Sequence, residues 1–299
     1  MTIVELENHH NERPELSLNP TATATAPCLV FIPTYNEAGN IDFMVNKVFA
    51  HHKDCDLLIV DDGSPDGTAE RVEALAKSHG SGSHLRLIRR SGKMGIGSAH
   101  RLAMMVALGA GYEFLITMDG DGSHEPESLP QFMEMLKDHD FVIGSRFLAG
   151  SLNEYQGYRK VLSQGANSLL NFALGMNSTE FTTAYRGFRC DWLATFPFAR
   201  IHGQGYNFFF QCLYWVRRYG ARYGELPIQF HNRREGESKI DAKEICLGVI
   251  FLLKIIAIHI LGKPLPPGER VKGSSCKSCG SPYLERRFSG QVACLVCHH

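Results

Sequence analysis

The segment Phe114-Leu115-Ile116-Thr117-Met118-Asp119-Gly120-Asp121-Gly122 is where residue types and spacing first suggest chemistry. A short apolar run stops at two carboxylates one residue apart, with glycines between and after them. A buried strand that delivers acids to the carboxyl edge of a sheet reads this way, and that edge is where open α/β sheets bind ligands. Carboxylates so close repel each other unless a cation sits beside them. Oxygen-only ligands suit Mg²⁺ or Mn²⁺, ions that usually arrive with a phosphate or diphosphate. The competing reading is an acidic turn after a core strand, since Asp-Gly is common in turns.

Two more apolar runs end in polar, chemically equipped loops. Cys28–Thr34 leads into Pro33-Thr34-Tyr35-Asn36-Glu37, and Asp56–Val60 leads into Asp61-Asp62-Gly63-Ser64-Pro65-Asp66. In a parallel sheet all three loops share one edge. Tyr35 offers an aromatic face, Glu37 and Asp62 offer acceptors for ribose hydroxyls or base nitrogens, and Asp121 offers a metal carboxylate. These are the parts of a pocket for a nucleoside diphosphate. Asp61 has a plainer use as a cap for the turn that follows it. His124, beside Glu125-Pro126, reads as a loop residue rather than a base.

The elements that must position these groups alternate. Helical spacing over Asn40–Phe49, Thr68–Ala76, Gly97–Leu108 and Glu127–Leu136 separates strand-like runs at Cys28–Thr34, Asp56–Val60, Leu85–Ile88, Glu113–Met118 and Asp140–Ile143. Such alternation predicts an α/β fold with a mostly parallel, Rossmann-like sheet and helices on both faces. Gly95-Ile96-Gly97 lacks the Gly-Lys-Ser/Thr ending of a phosphate loop and reads as close helix packing. Further on, Tyr158–Leu174 and Tyr206–Tyr219 read as helices and Ala221–Phe230 as an extended strand. Phe208-Phe209-Phe210 reads as core.

Composition is that of a globular protein: 299 residues, 44% hydrophobic and 21% charged. Formal net charge is zero, so no specific nucleic-acid partner is expected. Residues 1–26 are polar, hold the low-complexity run Thr21–Ala26, and read as a flexible leader without a signal-peptide pattern. The expected location is therefore the cytoplasm, where the nine cysteines would stay reduced.

PTYNEAGN, VDDGSPDGT, KMGIGSAH, MDGDGSH, IGSRF and GESK, in that order and spacing, resemble the inverting family 2 glycosyltransferases of the GT-A fold. Within that family the chain looks most like the dolichol- or polyprenyl-phosphate mannosyltransferases, over about Cys28 to Ile258. The resemblance implies a GT-A domain over 27–240, a nucleotide-sugar donor, a divalent metal (Mg²⁺ or Mn²⁺) and a polyprenyl-phosphate acceptor. Residue by residue it places Pro33, Tyr35, Glu37 and Asp62 on the donor nucleotide, and Asp119 and Asp121 on the Asp-x-Asp pair with Asp121 and Ser123 at the metal. Arg146, Arg159 and Ser163 fall at positions that receive the acceptor phosphate, and Arg233 and Lys239 on a loop over the diphosphate. Two departures stand out. Gly120 lies where the family has a small non-glycine residue, with Gly122 in place of a bulky one, and Ala184 replaces a glycine in Thr182-Thr183-Ala184-Tyr185-Arg186.

The C-terminal part adds two features. Ile245–Leu261 is apolar for 17 residues, just short of a membrane span, and carries Lys254 near its middle. An amphipathic interfacial helix over 241–262 fits this best, with a core helix as the alternative. From Lys239 onward there are nine Lys/Arg against four Asp/Glu, a balance suited to an anionic membrane surface. After a Pro- and Gly-rich linker at 263–275 comes Cys276-x₂-Cys279-x₁₄-Cys294-x₂-Cys297, a zinc-ribbon pattern over 276–299 in which four thiolates would hold Zn²⁺. Such a ribbon also suits the reducing, cytosolic side of a membrane, and a protein partner is one of its uses. The expectation is a peripheral glycosyltransferase that moves a hexose, mannose from GDP-mannose first, to a polyprenyl or dolichyl phosphate. Its rivals are a family 2 enzyme that uses a saccharide hydroxyl and a non-catalytic recruitment protein built on the ribbon.

Overall fold

The computed structural model describes residues 23–78, 84–154, 158–198, 201, 203, 205 and 207–234. Beyond these it describes residues 250, 253, 256–257, 269–270, 277, 284–286 and 292–294, and on the helix at 158–174 the side chains of 158–163, 166 and 173 are excluded.

The strands are β1 (Cys28–Thr34), β2 (Cys55–Asp61), β3 (Leu85–Arg89), β4 (Phe114–Thr117), β5 (Phe141–Ser145), β6 (Leu152–Asn153), β7 (Arg186–Arg189), β8 (Tyr223–Pro227) and β9 (Gln229–Phe230). Between them run helices α1 (Ile41–His51), α2 (Thr68–Ser78), α3 (Ile96–Ala110), α4 (Leu129–Asp138), α5 (Tyr158–Leu174), α6 (Cys190–Thr195) and α7 (Asn207–Arg218). Seven strands form one sheet in the order β3-β2-β1-β4-β7-β5-β8, parallel except for β7, while β6 and β9 pair separately.

Period-two alternation sorts the core. Leu29, Phe31, Leu58 and Val60 point to the face covered by α3, α6 and α7, whereas Val30, Ile32, Leu57 and Ile59 point to the face covered by α1, α2 and α4. Both faces are covered, which explains why the central strands read as unbroken apolar runs. The sheet is thus the mostly parallel, two-faced one expected, with the ends of the expected elements shifted by at most two residues.

Sequence periodicity missed β7. Arg-Gly-Phe-Arg has no apolar run, yet Arg186 is fully buried. Its guanidinium donates to three backbone carbonyls, those of Thr183 (2.8 Å), Phe209 (2.7 Å) and Phe181 (2.8 Å), and so ties the approach to β7 to helix α7. Because β7 is antiparallel to β4, with Arg186 opposite Thr117, residues 183–185 arrive at the edge where β4 ends. The expected strand Ala221–Phe230 divides into β8 and β9, which belong to different sheets.

Gly95-Ile96-Gly97 acts as the sequence suggests: a Cβ on Gly97 would lie 1.9 Å from the Gly203 carbonyl oxygen, so only glycine lets the helix start approach this backbone. One turn on, His100 is buried among the rings of Phe31, Phe208 and Phe209, with centroids 5.0–5.2 Å away. Its Nδ1–H donates to the Ile96 carbonyl (2.9 Å), its Nε2 has no partner, and burial pushes its pKa down to about 3.

A histidine neutral in the fold but protonated when unfolded makes the unfolded chain bind the extra proton, so acid disfavours the fold. Below pH ~6.5 this one group should remove about 1.4 kcal/mol of stability per pH unit. His100→Met should therefore flatten the pH dependence of denaturant-measured stability between pH 4.5 and 6.5 by one proton relative to wild type; parallel curves would show that His100 titrates normally.

Candidate active site

The chain lays down β1, β2 and β3 outward on one side, then returns to place β4 on the other side of β1. That reversal is a topological switch point, and a cleft opens there at the carboxyl ends of the strands. Pro33, Thr34, Tyr35 and Glu37 line it from the end of β1 and the loop beyond, Asp62 from beyond β2, and Asp119, Gly120 and Asp121 from beyond β4. The start of α3 contributes Gly95, Ile96 and Ala99, and Lys93, Gly205 and Arg233 complete the lining.

The two carboxylates differ in their surroundings. Asp121 is buried; its Oδ1 accepts the Ser123 N–H (3.0 Å) and its Oδ2 meets Arg233 Nε at 3.0 Å. Burial, and then the charge of Asp121, push Asp119 up to about 7, while Arg233 pulls it back. Beneath Asp119 lies His124. Its Nδ1 accepts the Asp119 backbone N–H (3.0 Å), which leaves the proton on Nε2 to donate to Thr183 Oγ1 (3.2 Å). Burial holds His124 down to about 4, against the pull of Asp121, so it is a neutral strut between the β4 loop and the approach to β7. His124 lies on the loop that follows β4, and the side chain that fixes its ring, Thr183, is 59 positions away in the chain.

A divalent ion fits this set. Asp119 and Asp121 offer carboxylate oxygens, and the hydroxyl of Ser123 is buried with no hydrogen-bond partner among the described residues. Among the described residues no group of three or more His, Cys, Asp or Glu is arranged to hold a metal, so the remaining positions would fall to ligand and water oxygens.

The segment carrying Arg233 is tied to this loop through its backbone. His231 N–H donates to the Ser123 carbonyl (2.9 Å), Arg234 N–H donates to the Asp121 carbonyl (3.2 Å), and His124 bridges Phe230. His231 itself lies between Glu154 (2.9 Å) and Glu125 (2.6 Å), and hydrogen bonding to both raises its pKa. Across the segment the guanidinium of Arg234 lies over the Phe43 ring at 3.8 Å.

On the donor side, Asp61 proves to be the turn cap, accepting from Ser64 N (2.8 Å), Ser64 Oγ (2.5 Å) and Thr34 Oγ1 (3.0 Å). Asp62 is held by Arg90 Nε (2.5 Å) and by the N–H groups of Met94 (3.1 Å) and Gly95 (3.2 Å), which fixes it against the start of α3. Glu37 accepts from Asn40 Nδ2 (2.8 Å) and opens α1. Lys93, which opens the KMGIGSAH motif but received no role from the sequence, stands 4.9 Å from the Tyr35 ring centroid.

Arg146 lies apart from the cleft lining. It makes a bidentate pair with Glu180 (2.7 and 2.9 Å) and donates to Thr182 Oγ1 (2.8 Å), and its charge holds Glu180 below the usual carboxylate range despite burial. Arg159 and Ser163 lie on α5, with side chains outside the described residues. Lys239, Cys276, Cys279 and Cys297 lie outside the described residues altogether, and Cys294 is described only as the last residue of a short strand, Val292–Cys294.

Both unusual glycines have local reasons. A Cβ on Gly120 would stand 2.9 Å from Ile32 Cγ2, and Gly122 has φ +78° with the Arg234 stem 3.0 Å from where its Cβ would be. Gly120→Ala should cost about 1–3 kcal/mol through overpacking against the β-branch of Ile32. Ile32→Leu, which moves that branch one carbon outward, should recover part of this loss in a double-mutant cycle; strict additivity would show that Ile32 is not the cause.

Comparison with known proteins agrees with this geometry. Residues 29–196 match Glycosyl transferase family 2. The undecaprenyl-phosphate mannosyltransferase of Micrococcus luteus is 35% identical over 213 residues, covering 71% of this chain and 86% of that protein. The polyprenol monophosphomannose synthase of Mycolicibacterium smegmatis is 34% identical over 227 residues, covering 75% and 85%. Among solved structures, glucosyl-3-phosphoglycerate synthase from Mycobacterium tuberculosis, in complex with Mn²⁺, uridine diphosphate and glucosyl-3-phosphoglycerate, superposes with a TM-score of 0.56 at 17% identity, over 83% of this chain and 85% of that one. Its shared fold is the GT-A fold that the motifs implied. With a family match across more than half its length and relatives above 30% identity, this chain belongs to glycosyl transferase family 2.

Proposed function

We propose that the chain transfers a hexose, mannose from GDP-mannose, to the phosphate of a polyprenyl lipid. The observation that carries this is the meeting of Asp119, Asp121 and Arg233 in a cleft whose other walls include Tyr35, Glu37 and Asp62, with the buried Ser123 hydroxyl two residues beyond Asp121. The names of the two curated relatives, both polyprenyl-phosphate mannosyl enzymes, support the acceptor and the sugar.

In this scheme Pro33, Tyr35, Glu37 and Asp62 receive the nucleotide. Asp121 and Ser123, backed by Asp119, hold Mg²⁺ or Mn²⁺, which when bound offsets charge on the diphosphate. An acceptor phosphate is already ionised near neutral pH, so its oxygen attacks the anomeric carbon without a strong general base, and the nucleoside diphosphate leaves from the opposite face. Arg233 and Lys239 stabilise the charge that grows on the leaving group, the kind of contact that lowers a barrier because it strengthens in the transition state. Arg159 and Ser163 on α5, with Arg146 sharing its charge with Glu180, receive the acceptor phosphate.

A peripheral place on the cytosolic face of a membrane fits a lipid acceptor. No helix among the described residues is long and apolar enough to cross a membrane. On α5, the helix assigned to the acceptor, Phe172 is 91% exposed and Leu169 is half exposed, three residues apart on one helical face. In the segment read as an interfacial helix, Ile250 and Leu253 are exposed while Ile256 packs on the core. We assign Cys276, Cys279, Cys294 and Cys297 to a structural Zn²⁺ and the ribbon to a protein partner.

Purified protein with Mg²⁺ or Mn²⁺, radiolabelled GDP-mannose and undecaprenyl or dolichyl phosphate should move label into the organic phase. Asp121→Asn should cut the rate on the order of 10²–10³-fold or more. Label that passes only to a saccharide would favour the hydroxyl-acceptor alternative, and a protein that neither transfers any sugar nor binds a nucleoside diphosphate would overturn the assignment.

A further inference from the structure

We propose that Arg233 is an exchangeable counterion: it neutralises Asp121 while the cleft lacks a divalent ion, and passes to the donor's diphosphate when that ion arrives. The inference rests on the reading of the cleft as a metal and diphosphate site.

The geometry sets up a competition for one oxygen. Asp121 Oδ1 is engaged by the Ser123 N–H at 3.0 Å, and Oδ2 by Arg233 Nε at 3.0 Å. A divalent ion entering between Asp119 and Asp121 needs carboxylate lone pairs and is repelled by a guanidinium on the same carboxylate. Arg233 must therefore give way. Its backbone has little freedom to leave, because the flanking His231 and Arg234 N–H groups are bonded to the Ser123 and Asp121 carbonyls at 2.9 and 3.2 Å. The side chain, one-fifth exposed on the cleft wall, is what turns.

Charge decides where it turns to. With both carboxylates ionised, Asp119, Asp121 and Arg233 sum to one negative charge, and a divalent ion alone would reverse the sign of these three and leave Arg233 facing a cation. A diphosphate alone would face two carboxylates. Bound together, ion and diphosphate satisfy every group, with Arg233 on the phosphate oxygens. Metal and nucleotide should thus bind with positive coupling, and part of that coupling runs through Arg233.

Titration of Mn²⁺, followed by the loss of its free-ion electron paramagnetic resonance signal, tests this on wild type, Arg233→Gln and Arg233→Lys, each without nucleotide and with saturating GDP or, separately, UDP. Without nucleotide, Arg233→Gln should bind Mn²⁺ tighter than wild type, on the order of tenfold. With nucleoside diphosphate present the order should reverse, and Arg233→Lys, which keeps the charge on a different head, should fall between. A residue that merely supports the fold would weaken binding in both conditions. Mn²⁺ affinity without nucleotide that is unchanged or lower in Arg233→Gln, while wild type binds Mn²⁺ with nucleotide, overturns the counterion role alone. Failure of wild type to bind Mn²⁺ with either nucleotide overturns the reading of the cleft and this inference with it.

Discussion

Like-charge repulsion between Asp119 and Asp121 is the constraint that the rest of the site answers. Burial makes it worse, since desolvation and the neighbouring carboxylate both push Asp119 upward. His124, beside Asp119, cannot supply a charge: it is buried and held down to about 4, so it contributes a hydrogen bond and a fixed position. Arg146 is close enough to bear on both Asp119 and His124, but its hydrogen bonds go to Glu180 and Thr182. Among these groups the ion pair to Asp121 is made by Arg233, which comes from a segment more than a hundred residues further along the chain.

That dependence explains why the backbone around Arg233 is paired rather than loose. A cation on a long free loop would lose much of its effect to conformational entropy. Here two N–H···O=C bonds and a β-bridge join residues 230–234 to the β4 loop, and His231, between two glutamates, fastens the same segment to Glu154. Gly122 belongs to the same arrangement: its positive φ turns the β4 loop, and its missing side chain gives the Arg234 stem a place to cross.

Much of this was legible in the sequence because local signals happened to coincide with global ones. The apolar runs before Tyr35, Asp62 and Asp119 are strands buried on both faces, and their ends share one edge because the strands are parallel neighbours. Gly95-Ile96-Gly97 announced close packing, and Gly97 meets Gly203 directly. What stayed hidden has a common cause. β7 contains a fully buried arginine whose donors are met by backbone carbonyls, two just upstream and one on α7, so neither hydrophobicity nor charge marked it as core. His124 is supported by Thr183, and Asp62 by Arg90, through contacts 59 and 28 residues apart. Composition and periodicity describe a residue's neighbours in the chain; these roles are set by neighbours in space.

The same distances in the chain separate the acids of the site from their cation. The strands whose ends lead to the acids, β1, β2 and β4, are neighbours in one parallel set, whereas the cation comes from residues 230–234, which return to the β4 loop from beyond β8. Without that return the edge would hold two neighbouring carboxylates with no cation paired to Asp121, which is unfavourable. The site is therefore a place where the fold is held against its own electrostatics by packing elsewhere, notably the apolar layers on both faces of the sheet. Any ligand that brings a cation to this edge binds the folded chain and not the unfolded one, and stabilises it by mass action. Under the proposed exchange, ligand binding and structural completion are two descriptions of one charge balance, met by Arg233 in the structure described.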